Sequence, residues 1–236
     1  MKKHYIWFDL GYTLLYQDRE QIYKKFLHRK QQEIEFERIV EAYHIADKLF
    51  MREYPGMLSK HASIFYPWYL GVVNHYLNLQ FDLFEQHEFL QREIQKTEDY
   101  WRPFHFTKDT LQYLKTNGYQ LGLISNWDNS ARGLLDKHEL TNYFDHIVIS
   151  SEVGIEKPDA EIFDLAFQLA GTSAEQNIYV GDNYYDDVLG SAKIGVESVL
   201  INRFGKKGIE EINHTYVVES IEQLPELLHD VPLLKL

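Results

Sequence analysis

From residue 103 onward, short runs rich in β-branched and aromatic residues alternate with amphipathic stretches of helical spacing. The runs are Gln120–Ser125 (QLGLIS), 146–150 (HIVIS), 177–182 (NIYVGD) and 197–202 (ESVLIN). Helical patterns lie near Thr107–Thr116, 129–138, 159–170 and 185–193. Alternation of this kind builds a parallel sheet with helices on both faces. One more apolar run, Tyr5-Ile6-Trp7-Phe8, stands near the start of the chain and must join the same sheet. The intervening residues 18–96 show helical spacing only, as at Ile22, Phe26, Leu27 and Ile34, with turns or helix starts at Pro55-Gly56 and Pro67. The expected fold is therefore α/β: a doubly wound, Rossmann-like parallel sheet formed by 1–17 and 97–236, with an α-helical cap domain, 18–96, inserted after the first strand. The aromatics of the insertion, Phe65, Tyr66, Trp68, Tyr69 and Tyr76, are read as helix-packing core.

With 236 residues, 44% of them hydrophobic, the chain can bury a substantial core. Its formal net charge is −12, and its 24 Lys and Arg are dispersed, which argues against a nucleic-acid partner. The absence of cysteine excludes disulfides, thiolate nucleophiles and thiolate zinc sites. Met1-Lys2-Lys3 and the apolar run after it resemble a secretion signal, but Asp9 interrupts the run and no small-residue cleavage site follows. No uninterrupted apolar stretch reaches eighteen residues, so neither a membrane span nor a membrane partner is expected, and the cytoplasm is the expected location.

Ligands of open parallel sheets bind beyond the carboxyl ends of the strands. The polar residues there are Asp9 after YIWF, Ser125 and Asn126 after LGLI, and Asp182 after IYVG, with Asp186 and Asp187 one turn later; Lys157 precedes Pro158 at the start of the third helix. Taken singly, each has an ordinary structural explanation: a solvated lysine, a strand-end serine, or acids favouring a helix start. Asp128 reads as a cap for the helix near 129. Their joint placement around Asp9 is what carries the reading.

These residues form four ordered motifs: FDLGYTL with Asp9 and Thr13, LISN with Ser125, IEKPDAEIF with Lys157, and VGDNYYDDVLGSA with Asp182 and Asp187. The chain thereby resembles the haloacid dehalogenase-like hydrolase superfamily, in the form that carries a helical cap after the first core strand. The resemblance implies a magnesium-dependent phosphatase acting on a small phosphorylated metabolite through an aspartyl phosphate on Asp9. It further implies Ser125 and Lys157 as catalytic partners, and a Mg2+ site made by Asp9, the Gly11 carbonyl, Asp182 and Asp187. Substrate contacts would come from the amides of Leu10 and Gly11, and from Thr13 and Asn126. The physics agrees, because a carboxylate cannot approach an anionic phosphoryl group until positive charge and donors offset the repulsion.

One residue departs from the pattern. Phosphatases of the superfamily usually carry a second aspartate two residues after the nucleophile, as general acid and base; here that position is Gly11. Proton transfer of this type contributes roughly 100- to 10,000-fold. The phosphatase reading then requires a substitute such as Asp18 or a cap residue, solvent water, or a good leaving group. Dehalogenase chemistry, phosphonate cleavage, and a weakly active or non-catalytic phosphate- and metal-binding protein are the alternatives. The sequence is silent on oligomeric state.

Overall fold

The computed structural model describes residues 4–230. The chain runs through β1 (Tyr5–Phe8) and β2 (Leu15–Gln17) into four helices, α1 (Arg19–Arg29), α2 (Phe36–Glu53), α3 (Ala62–Tyr76) and α4 (Leu83–Gln95), and then into β3 (Trp101–Pro103). It continues through α5 (Thr107–Thr116), β4 (Gln120–Ser125), α6 (Ala131–Lys137), β5 (His146–Ile149), the single turn α7 (Ser150–Val153), α8 (Ala160–Ala170) and β6 (Asn177–Gly181). A π-helical segment, Tyr184–Val188, leads into α9 (Leu189–Ala192), followed by β7 (Glu197–Ile201), β8 (Val217–Val218) and α10 (Leu224–Asp230).

By their contacts these elements form two compact units. Among the described residues, one is built by 4–16, Pro103–Gly205 and 212–230, the other by Gln17–Arg102 and Lys206–Glu211. The helical unit is thus wider than 18–96 and includes a short strap from far along the chain.

The first unit is a six-stranded sheet in the order β5-β4-β1-β6-β7-β8 with every pairing parallel, as the alternation requires. β8 has only two residues and leaves no periodic trace in the sequence; the same holds for the two-stranded ribbon β2-β3 through which the chain passes between units. β1 lies centrally, flanked by β4 and β6, so the topological switch falls beside its carboxyl end. All four of its residues are buried, as a central strand covered on both faces demands. Trp7 faces Gly122 across the ladder, where a Cβ would lie 2.2 Å from the indole ring, and its Nε1 donates to Asn177 Oδ1 at 2.8 Å. Tyr5 stacks on Trp7 at 4.7 Å and Phe167 of α8 packs against the same ring at 5.8 Å.

The helical unit has its own core, in which Tyr23, Phe26, Tyr43, Phe50, Phe65, Tyr66 and Tyr69 interlock. Of the aromatics read as core, Phe65, Tyr66 and Tyr69 are buried, whereas Trp68, on the opposite face of α3, is 62% exposed. Pro67 lies inside α3 rather than at a turn, forgoing one helical hydrogen bond. Within this apolar surround Arg19 grips Asp47 with both terminal nitrogens, at 3.1 and 2.5 Å, and donates from Nε to Glu20 at 3.1 Å. Tyr69 also donates to Asp47, at 2.7 Å, and the guanidinium stacks over Tyr43. The strap lies along α2: Lys207 pairs with Glu41, His44 donates to the Lys207 carbonyl at 3.0 Å, and Arg52 meets Glu211 at 3.0 Å. Among the described residues no helix is long and apolar enough to cross a membrane.

Candidate active site

β1 delivers Asp9 to the carboxyl end of the sheet with its N–H still in the ladder, donating to Val180 at 2.9 Å. The next residues turn at once. The N–H groups of Leu14 and Leu15 both donate to the Leu10 carbonyl at 3.0 Å, and Tyr12 returns a bond to the Leu15 carbonyl at 2.6 Å. Closing this turn places Tyr12 at φ 53°, the left-handed region. Gly11 is half-buried and bridges to Leu15, while Leu10 is fully buried and its N–H is directed at the Asp9 carboxylate. Thr13 is 1% exposed, and its Oγ1 is buried without any partner in the protein. A buried hydroxyl of that kind calls for a ligand or ordered water.

Three other segments converge on Asp9. Ser125, the last residue of β4, donates from Oγ to Asp9 Oδ1 at 3.4 Å. Lys157 is 4% exposed, and its ammonium donates to Asp9 Oδ1 at 2.7 Å, Asp187 Oδ1 at 2.6 Å and the Tyr179 hydroxyl at 2.9 Å. Asp182 follows β6, and carboxylate oxygens of Asp9, Asp182 and Asp187 all lie within 4.8 Å of one another.

The 185–193 stretch, expected as one helix, is instead a π-helical turn before α9, and the difference serves the site. Asn183 Oδ1 accepts from the N–H of Tyr185 and Asp186, its Nδ2 donates to Asp186 at 2.7 Å, and its own N–H donates to Asp187 Oδ2 at 2.9 Å. The turn returns Asp187 to the strand end, against Gly181, where a Cβ would fall 2.1 Å from Oδ2. Wider turns of this type recur at functional sites.

Asn126, expected at the substrate, bonds the backbone of Lys157 in this structure. It accepts from the Lys157 N–H at 2.7 Å and donates to the Lys157 carbonyl at 2.8 Å, so its amide fixes the lysine backbone. Asp128 caps a turn rather than the helix itself, accepting from the Ser130 N–H at 2.8 Å ahead of α6. In the helical unit, Asp18, one of the substitutes considered for the missing acid, is paired with Arg102. Tyr179 was not anticipated: within IYVG it reads as an ordinary strand residue, and only the fold shows its hydroxyl on Lys157.

Burial raises the Asp9 carboxyl above the usual carboxylate range, opposed by the neighbouring ammonium. Burial also works against the charge on Lys157, but Asp187 and Asp9 outweigh it and hold the lysine well above its ordinary value. Burial and the adjoining Asp187 push Asp186 up to about 7. Asp9 and Asp187 share one ammonium and Asp182 lies in the same cluster, so the carboxylates outnumber the cation beside them, and their all-oxygen donor set suits a hard divalent cation such as magnesium. Asp9, Asp182 and Asp187 would hold it.

Residues 8–201 match the sequence profile of the haloacid dehalogenase-like hydrolases, a span that includes every residue of this cluster. The chain belongs to that family. This haloacid dehalogenase-like hydrolase is 35% identical over 142 residues to a glyceraldehyde 3-phosphate phosphatase of Methanothermobacter thermautotrophicus, covering 54% of the chain and 59% of the relative. It is 34% identical over 111 residues to the pyrimidine 5'-nucleotidase YjjG of Escherichia coli, covering 46% and 49%. The chain thus spans about half the length of the curated relatives it matches. Its fold is shared with the magnesium-bound HAD-hydrolase YfnB of Bacillus subtilis, with a TM-score of 0.63 at 17% identity over 97% of this chain and 100% of that one. A HAD phosphatase from Thermococcus onnurineus gives 0.58 at 24% identity over 97% and 98%.

Proposed function

We propose that this hydrolase cleaves phosphoric monoesters of small metabolites, with Asp9 as nucleophile. The observation that carries the reading is the Lys157 ammonium held between Asp9 and Asp187 beside a cluster of three carboxylates. Lys157 would draw a phosphoryl oxygen towards Asp9, joined by the Ser125 hydroxyl, the unpartnered Thr13 hydroxyl and the amides after Asp9. A bound magnesium ion would add the remaining positive charge that lets one anion attack another. Asp9 then forms a bond to phosphorus as the ester P–O bond breaks, and the departing alkoxide takes its proton from solvent, since Gly11 offers none. Water attacks the aspartyl phosphate, its proton passing to solvent, and inorganic phosphate leaves with Asp9 restored.

The relatives named as a phosphatase and a nucleotidase support ester chemistry over dehalogenation. So does the carboxylate cluster, because halide displacement has no need of a cation. The helical unit takes the role of cap in this reading and selects the substrate. The test is hydrolysis of p-nitrophenyl phosphate with magnesium and with chelator, alongside Asp9→Asn. Metal-dependent turnover abolished in the variant is the expected result. Turnover that survives Asp9→Asn would remove Asp9 as nucleophile, and no turnover on a panel of phosphate esters would favour a binding protein.

A further inference from the structure

We propose that Tyr179 is a positioning residue of this site, fixing the direction in which Lys157 presents its charge; the proposal rests on the hydrolase reading above. An ammonium has three N–H donors and no acceptor. Those of Lys157 are directed at Asp9, Asp187 and the Tyr179 oxygen. Tyr179 can accept because its own proton is committed, donated to the Ile124 carbonyl at 2.9 Å. Ile124 immediately precedes Ser125, and Tyr179 lies on the strand that ends at Asp182, so one hydroxyl links three of the four motifs. The ring that carries it is fully buried and packed edge-on by Phe163 at 5.2 Å, which leaves it little freedom to swing.

The three acceptors differ in what the reaction does to them. Asp9 loses its charge when it takes up the phosphoryl group, and the Lys157 bond to it must then pass to a phosphoryl oxygen. Asp187 and Tyr179 are unchanged throughout. Two fixed acceptors define a direction for the third N–H, whereas Asp187 alone would let the ammonium collapse towards itself. Tyr179 supplies that second anchor without adding negative charge where a phosphoryl group must enter. Mispositioning of a reacting group by an ångström costs on the order of 100-fold.

The test uses the full chain with magnesium and p-nitrophenyl phosphate. Tyr179→Phe keeps the ring and removes the hydroxyl; kcat is expected to fall about 10- to 100-fold with KM nearly constant. Tyr5→Phe is the control, since it likewise deletes a buried hydroxyl from a core strand, one bonded to His146 at 2.7 Å. In a Lys157→Met background the Tyr179→Phe change should cost nothing further, because both act through the same ammonium. A loss no larger than that of Tyr5→Phe, or an equal loss in both backgrounds, would overturn the proposal. Should Tyr179→Phe fail to fold, NMR of the unsubstituted protein reads the same contact. The Lys157 ammonium signal, assigned by its loss in Lys157→Met, should show cross-relaxation with the Tyr179 ring protons, and an ammonium without that contact would refute it. That measurement needs no turnover, so failure of the hydrolase reading and failure of the positioning role are separable.

Discussion

Asp187 Oδ1 stands 2.6 Å from the Lys157 ammonium while the same carboxylate belongs to the cluster with Asp9 and Asp182. One side chain therefore balances the lysine and stands in the cluster that would hold the proposed cation. Asp187→Asn keeps the volume and removes the charge. The concentration of magnesium that half-saturates activity is expected to rise about 10- to 100-fold, the usual cost of losing a group that orients a metal site. Titrating activity with magnesium measures it; an unchanged requirement would take Asp187 out of the metal site.

In the proposed mechanism Gly11 would offer the leaving group no proton, so turnover should depend steeply on how well that group departs unaided. Across aryl and alkyl phosphates, kcat/KM is expected to fall as the leaving-group pKa rises. Gly11→Asp should flatten the dependence, with gains approaching 100- to 10,000-fold on alkyl esters and little on p-nitrophenyl phosphate. Parallel plots for the two proteins would mean that some other residue already donates the proton.

Tyr12 holds φ 53° although its side chain is bulky, a conformation costing roughly 1–2 kcal/mol for residues other than glycine. Tyr12→Gly relieves the strain but loosens the unfolded chain, leaving a net stabilisation of about 0.5–1 kcal/mol. Denaturant unfolding reads this directly. If the variant is more stable yet slower, the Tyr12 side chain contributes to function; if it is less stable, its contacts exceed the backbone strain.

In the helical unit, burial raises the Glu20 carboxyl above its ordinary range against the pull of Arg19. The folded chain then binds this proton more tightly than the unfolded one, so stability falls as pH climbs from about 4.5 towards the raised value. Glu20→Gln is neutral at every pH. Its unfolding free energy relative to the parent should therefore improve as pH rises above about 4.5 and level off above the raised value, by ~1.4 kcal/mol for each unit by which the carboxyl is raised. A difference that does not vary with pH would show that Glu20 carries no such penalty.

The sheet was legible because QLGLIS, NIYVGD and their neighbours are apolar runs spaced by helix lengths, and a fully buried parallel strand has no other signature. Asp9, Ser125 and Asp182 are legible because each follows such a run at the end where ligands collect, and Lys157 because it falls in the IEKPDAEIF motif of the resemblance. What escaped was geometry that residue type does not encode. YYDDVLGSA carries apolar spacing compatible with an α-helix, and the π turn arises from the Asn183 side chain bonding two successive amides. Asn126 reads as a pocket residue because it follows Ser125 at a strand end; in the fold its amide bonds the Lys157 backbone. Asp47 lies inside a helical pattern where an acid reads as surface, and only the fold brings Arg19 to it across a gap of 28 residues.

The strap Lys206–Glu211 changes what counts as a transferable module. A conventional insertion enters and leaves its host once, and can be exchanged between relatives by cutting at two points. Here the polypeptide crosses between units four times, at 16/17, 102/103, 205/206 and 211/212. A chimera that replaced only Gln17–Arg102 would strip Lys207 of Glu41 and Glu211 of Arg52, and leave the Lys207 carbonyl without His44. Grafting the helical unit onto another hydrolase, or evolving it by recombination, requires the two distant pieces to be inherited together.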